Sequence, residues 1–162
     1  LASKGYIVVS IDHTDSTFSD ANNFNSTLLN RSLDDLFVLN QITELNNDSS
    51  SFLYGLVNTD NTGLIGYSMG GYGAVNVAGG GYSDQAVKFF TASSKGNNAL
   101  EKLKAGNIDY IKSFDSRFKP LLLSHHGVWV MGHGILKGLK ESRFQPYSLL
   151  EVKMIFQVMK MG

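Results

Sequence analysis

Residues 63–74 read Gly63-Leu64-Ile65-Gly66-Tyr67-Ser68-Met69-Gly70-Gly71-Tyr72-Gly73-Ala74, and they contain the pattern Gly-x-Ser-x-Gly. A serine on a very tight turn between a strand and a helix needs glycine two positions before and after it, because larger side chains there would collide. Such a turn lifts the hydroxyl above the sheet and sets it at a helix N-terminus, where backbone N–H groups favour a developing negative charge. The pattern therefore predicts a nucleophile elbow with Ser68 at its tip.

The residues on either side of this pattern agree with an elbow. Leu64 and Ile65 are typical of a short buried strand, and the small residues from Gly70 to Ala78 predict a helix that packs closely on its neighbours. Three glycines, Gly66, Gly70 and Gly71, form the predicted elbow. The alternative is a glycine-rich loop between a strand and a helix with no catalytic role.

Composition narrows the classes of protein that the chain can represent. The 162 residues suffice for one domain, and a hydrophobic content of 43% supports a real core. The formal net charge is zero without a basic block, so we expect no nucleic-acid partner. The absence of cysteine excludes thiol chemistry, disulfides and cysteine-ligated metals. No apolar run reaches the length of a membrane span. We find no motif for a cofactor. Because the chain begins at Leu1, we expect it to be an interior fragment of a longer protein.

A second polar group of residues follows the first predicted strand. Tyr6 to Ile11 is a largely apolar run that favours a central parallel strand covered on both faces. It ends in Asp12, His13, Thr14 and Asp15, and open α/β sheets bind their ligands at the carboxyl ends of strands. We predict that Asp12, His13 and Tyr67 line a pocket near Ser68; the alternative is a solvated loop that these side chains brace.

The rest of the sequence predicts the helices and turns that surround these two segments. Gly5 is expected to close a helical turn in the left-handed conformation. Residues 18–31 are polar and predict an irregular segment, after which Ser32 and Asp35 form a capping box that begins a helix. Its apolar stripe, expected to lie on the sheet, comprises Leu36, Phe37, Leu39, Ile42 and Leu45. Residues 58–63 are typical of a turn before the elbow strand, residues 79–81 should end the elbow helix, and residues 97–104 and 108–114 predict surface helices.

Three segments, residues 1–17, 30–39 and 62–74, together resemble bacterial α/β-hydrolases of the dienelactone-hydrolase-like or carboxylic ester hydrolase type. The resemblance covers residues 1–118 and implies a doubly wound, mostly parallel sheet with flanking helices. It also implies a Ser-His-Asp triad that hydrolyses a small-molecule carboxylic ester. Ser68 matches the family nucleophile, and the backbone N–H of Met69 matches one oxyanion donor. The family's first strands would precede Leu1, and its acid and base have no clear match, so a partial hydrolase fold is expected.

Residues 119–162 do not resemble the family's sequences and are expected to form a poorly ordered tail outside the hydrolase core. If each codon takes the last base of one residue and the first two of the next, residues 141–160 can encode Ile-Lys-Ile-Pro-Thr-Leu-Phe-Ile-Val-Gly-Ser-Lys-Asp-Asp-Ile-Ser-Gly-Tyr-Glu. This resembles the family strand that carries the triad acid. Methionine has a single codon, ATG, so its last base is always G. In the shifted frame, Met154 followed by Ile155 therefore encodes Asp, and Met159 followed by Lys160 encodes Glu. We hypothesise the loss of one nucleotide near residues 118–120.

Several assignments stay open at the level of sequence. His13 is the one histidine within the family-like text, but a pocket or structural role is favoured for it over that of a substitute base. The spacing of His125, His126 and His133 fits no standard zinc motif, so no metal site is predicted. The chain is then a serine ester hydrolase, a catalytically inactive fragment of one, or a peptidase or acyltransferase on the same fold.

Overall fold

A computed structural model of the chain describes residues 1–15, 17, 24–66, 69–123 and 153–158. Four strands and four α-helices are described, together with short 3-10 helices at Ala2–Lys4 and Ala99–Leu103. The strands are β1 (Tyr6–Ser10), β2 (Val57–Gly66), β3 (Phe118–Leu123) and β4 (Lys153–Val158). The helices are α1 (Phe24–Asn47), α2 (Met69–Val77), α3 (Asp84–Ser93) and α4 (Ile108–Lys112).

The described strands form one mixed sheet in the order β1-β4-β2-β3. The pairing of β2 with β3 is parallel, whereas β4 runs antiparallel to both β1 and β2. The mixture of helices and parallel strands agrees with an α/β fold. Among the described strands the predicted mostly parallel arrangement is not seen, because β4 lies between β1 and β2 and pairs antiparallel with both.

Strand β1 lies at one end of the described sheet and pairs antiparallel with β4, so the described strands do not confirm the predicted central parallel strand covered on both faces. Its two terminal residues are exposed and its three middle residues are half-buried. The side chains of Ile7, Val9 and Ile11 pack against the hydrophobic core beneath the sheet. Burial of one face is sufficient for these β-branched residues, which suit a pleated, half-covered surface.

Helix α1 begins at Phe24, eight residues before the predicted start at Ser32. Ser32 therefore lies inside the helix, where its side chain is buried and cannot cap an end. Leu28, with 1% of its surface exposed, anchors the earlier turns in the core. Tertiary burial has overridden the weak helix propensity of this asparagine-rich segment.

The apolar stripe predicted for α1 is confirmed in its middle and wrong at two positions. Leu39 and Ile42 are buried, with Leu36 packed beside them. Phe37 is 63% exposed and Leu45 is 39% exposed, so neither side chain lies on the sheet. The stripe is therefore narrower than the sequence pattern predicts.

Strand β2 starts at Val57 and runs through the residues predicted to form a turn. The turn-forming residues cause an irregularity instead, since the register with β4 shifts between Asn58 and Thr62. There the hydroxyl of Thr62 donates to the carbonyl oxygen of Thr59 at 3.0 Å. At the start of the chain, Gly5 closes the first 3-10 turn with φ 79° and ψ 32°, which confirms the predicted left-handed cap.

Two hydrophobic clusters form the core. One joins α1 and α2 to the helices that follow, through Leu28, Tyr72, Tyr82 and Phe90. The other lies between the sheet and helices α1 and α2 and contains Leu39, Val57, Leu64, Ala74 and Phe118. Leu100, Leu103 and Tyr110 are buried in the first cluster, so residues 97–114 lie partly within the core and not only at the surface as predicted. Among the described residues, no helix combines the length and apolarity needed to cross a membrane.

Candidate active site

The junction between β2 and α2 carries the Gly-x-Ser-x-Gly pattern. Strand β2 ends at Gly66 and helix α2 begins at Met69, so a strand gives way to a helix within three residues. Tyr67 and Ser68, which stand between them in the sequence, lie outside the described residues. A strand, a tight connection and a helix are the setting that the motif requires.

Gly66 and Gly70 make a close backbone contact at this junction. A Cβ atom at Gly66 would lie 2.3 Å from the carbonyl oxygen of Gly70 and 2.9 Å from Cβ of Ala74. The neighbouring atoms at Gly70 are backbone, which cannot move aside as a flexible side chain can. Only glycine therefore fits at position 66, and the colliding partner is the residue that the motif places two positions beyond its serine.

Helix α2 provides backbone donors at this edge of the sheet. Met69 is its first residue. The first four N–H groups of an α-helix have no partner within the helix, and the helix dipole adds positive potential there. This position suits the oxyanion donor that the sequence assigns to the N–H of Met69. Gly70 and Gly71 follow in the first turn and are both buried.

The loop after β1 places His13 against helix α1. The residue is 4% exposed, and its Nδ1 lies 2.7 Å from Oδ2 of Asp34. Burial lowers the pKa of His13, while its hydrogen bond to Asp34 acts in the opposite direction. Asp12 beside it is exposed. The sequence identified His13 and Asp12 but missed Asp34, although Asp34 lies within the segment that carries the family resemblance.

Two further ionisable residues of α1, Arg31 and Asp35, lie against helix α2. Asp35 is fully buried against Gly73, where an added Cβ would lie 3.3 Å from Oδ2 of Asp35. Burial raises the pKa of Asp35 to about 8, the charge of Asp34 raises it further, and Arg31 opposes both. Burial also lowers the pKa of Arg31. The face of α1 that meets α2 is therefore built from ionisable groups as well as apolar ones.

No group of three or more histidine, cysteine, aspartate or glutamate side chains within the described part of the chain is arranged to hold a metal ion. His125, His126 and His133, for which the sequence predicts no zinc site, lie outside the described residues.

The mixture of helices and parallel strands and the glycine-tight strand-to-helix junction are compatible with a partial α/β-hydrolase fold. A family model described as PET hydrolase-like matches residues 1–103. The chain belongs to this PET hydrolase-like family, which confirms the predicted α/β-hydrolase class; the narrower dienelactone-hydrolase-like assignment stays a prediction. Comparisons with curated proteins and with solved structures gave no match.

Proposed function

We propose that the chain is a serine hydrolase that cleaves small-molecule carboxylic esters with Ser68 as the nucleophile. The observation that carries this proposal is the contact between Gly66 and Gly70, which leaves no room for a Cβ across the junction that contains Ser68. A nucleophile elbow requires this arrangement, and a loop without catalytic role does not. Membership of the PET hydrolase-like family supports the same chemistry.

In the proposed reaction, Oγ of Ser68 attacks the ester carbonyl carbon and loses its proton to a base. The carbonyl oxygen becomes an oxyanion, which the N–H of Met69 stabilises. The bond to the alcohol then breaks, the alcohol takes up a proton, and water later releases the acyl group from Ser68. Asp12, His13 and Tyr67 are proposed to border the pocket in which the ester lies.

A fluorophosphonate probe tests the nucleophile directly, because it forms a covalent bond with an activated serine hydroxyl. We expect stoichiometric labelling of the wild type and none of Ser68→Ala. Ser116→Ala is the matched control, since it removes the hydroxyl of an exposed serine far from the motif in sequence. Labelling that persists in Ser68→Ala would contradict the assignment.

The alternative is a catalytically inactive fragment of such a hydrolase. It is supported by residues 119–162, which have no family match for the acid and base. A folded wild type that takes up no probe would establish it. If the probe does label Ser68, comparison of p-nitrophenyl esters with peptide substrates separates an esterase from a peptidase or acyltransferase on the same fold.

We further propose that residues 119–162 are read in a shifted frame after the loss of one nucleotide near residues 118–120, and that the neighbouring frame encodes the family strand that carries the triad acid. The coding DNA decides this point. Its codons for residues 141–160 should give the Gly-Ser-Lys-Asp-Asp strand in the neighbouring frame. Codons that give unrelated text there would refute the shift.

A further inference from the structure

We propose that Asp35 is a pH-sensitive switch in the contact between helices α1 and α2. While Asp35 holds its proton the two helices pack closely, and loss of that proton opens the contact at Gly73 to water. The inference is independent of the proposed function, since it concerns the packing of two helices and not the reaction. It is carried by the burial of Asp35, by its unpartnered oxygens and by the close approach of Gly73.

Gly73 of α2 packs directly on two residues of α1. A Cβ atom at Gly73 would lie 3.0 Å from Cβ of Arg31 and 3.3 Å from Oδ2 of Asp35. The carboxyl group therefore lies at the contact between the helices, where the glycine leaves room for the two backbones to come together. Asp35 has 0% of its surface exposed there, so water reaches it only if the contact opens.

The carboxyl group of Asp35 has no hydrogen bond that would favour its charged form. Neither oxygen has a partner among the residues that the structure describes. A carboxylate in this place would lose its water without gaining donors, which costs far more than burying the neutral acid. Burial accordingly raises the pKa of Asp35 to about 8, and the closed contact holds the protonated form at neutral pH.

The charges around Asp35 do not provide a substitute for water. Arg31 opposes the effect of burial on the pKa of Asp35, whereas the negative charge of Asp34 adds to it. Helix α2 carries no charged residue that could neutralise an ionised Asp35. The elements that meet here bring the following titratable or charged side chains: Asp12 and His13 of the loop after β1, Arg31 and Asp34 of α1, and Tyr72 of α2.

Helix α2 is the element that yields when Asp35 ionises. It has nine residues, and three of them are the glycines Gly70, Gly71 and Gly73. Glycine loses more conformational freedom on folding than any other residue, so it weakens the interior of a helix. Helix α1 is 24 residues long and is the more stable partner. Because α2 begins at the junction with β2, the switch acts on the element on which the candidate active site is built.

The expected size of the effect follows from proton linkage. The pKa of Asp35 is about 8 in the closed contact and about 4 for a carboxyl group in water. The equilibrium constant for opening should therefore rise about tenfold between about pH 7 and about pH 9. His13 contributes nothing in this range, because its lowered pKa lies below 6.5.

Hydrogen exchange of the backbone amides, measured by NMR on the whole chain between about pH 7 and about pH 9, tests the switch. After correction for the intrinsic pH dependence of exchange, the protection of the α2 amides should fall about tenfold across this range. At the upper end these amides should be less protected than the amide of Leu64 in β2. Dilute urea should leave their exchange unchanged, because a local opening exposes little surface.

Asp35→Asn and Asp35→Leu should both keep the protection of α2 constant with pH, since neither side chain ionises. Leucine has no polar atom to satisfy, so Asp35→Leu keeps the test valid if the asparagine variant does not fold, and melting curves verify folding. Glu44→Gln is the matched control, because it removes an exposed carboxylate of the same helix and should show the wild-type loss. Wild-type protection that stays constant with pH, or a loss that persists in a folded Asp35 variant, overturns the inference. So does a loss that Leu64 shares and that increases with urea, since it marks global unfolding.

Discussion

At the scale of single residues, the closest steric constraint falls on Gly66, the first residue of the Gly-x-Ser-x-Gly pattern. Gly66 lies against backbone atoms of Gly70 and against Ala74, so its lack of a side chain is a matter of space. Gly5 is glycine for a different reason: its φ is +79°, and a Cβ there would meet nothing within 4 Å. A substitution at Gly66 therefore measures the cost of a steric clash, and a substitution at Gly5 measures the cost of backbone strain.

Gly66→Ala should therefore destabilise the fold more than Gly5→Ala does. Overpacking typically costs about 1–3 kcal/mol, and a contact against backbone should reach the upper end of this range. A left-handed alanine costs about 1–2 kcal/mol, at a cap where no packing is lost. Urea unfolding of both variants measures the difference. Equal losses of unfolding free energy would show that the junction can relax around a methyl group.

The buried carboxyl of Asp35 gives the molecule a specific dependence on pH. Its pKa in the folded state is about 8, raised by burial, against about 4 in an unfolded chain. The folded state then holds its proton more tightly, so the free energy of unfolding should fall as the pH rises between these values. His13 acts with the opposite sign, because its lowered pKa favours folding at pH above 6.5 and loses this contribution in acid.

Asp35→Asn should flatten this dependence in the window from about pH 6.5 to 8, where the contribution of His13 is constant. We expect the variant to gain on the wild type in melting temperature as the pH increases, since an amide cannot ionise. Melting curves at several pH values measure the effect, with Glu44→Gln as the control for loss of an exposed α1 carboxylate. Parallel curves for wild type and Asp35→Asn would show that Asp35 does not titrate in this range.

At the scale of elements, helix α1 shows what a sequence pattern can and cannot locate. Leu39 and Ile42 repeat at helical spacing, and their burial could be predicted from that period alone. The start at Phe24 could not, because residues 24–31 have poor helix propensity and are held by tertiary burial of Leu28.

The earlier start of helix α1 also explains why the sequence did not predict Asp34 as the partner of His13. Asp34 sits in the second position of a predicted capping turn, where it would face solvent near a helix end. In the longer helix it lies in the interior and meets a loop that is 21 residues away in sequence. Contacts between distant segments depend on how elements dock, and a single sequence carries no direct signal of docking. The glycine motif could be predicted from the sequence because its steric constraint joins residues that are close together along the chain.

At the scale of the whole molecule, the sheet depends on β4, a strand outside the region that matches the family model. β4 lies in residues 119–162, beyond the 1–103 match to the family model, and it pairs with both β1 and β2. Its sequence, Lys-Met-Ile-Phe-Gln-Val, is apolar enough to occupy a central position in a sheet. Without β4, the facing edges of β1 and β2 would expose unpaired N–H and C=O groups, which favours aggregation.

Ile155→Pro should break this sheet, because residue 155 pairs with Val8 of β1 on one side and with Gly63 of β2 on the other. Proline removes the backbone N–H and is not tolerated within a central strand. We expect a loss of about 3 kcal/mol or more and a shift to aggregates in size-exclusion chromatography. Ile155→Val is the matched control, since it keeps the N–H and the β-branched shape and should unfold within about 1.5 kcal/mol of wild type. Because Ser68 follows β2 within two residues in the sequence, Ile155→Pro should also abolish the proposed labelling of Ser68 by the fluorophosphonate probe. A soluble Ile155→Pro protein with wild-type stability and labelling would show that β1 and β2 hold together without β4.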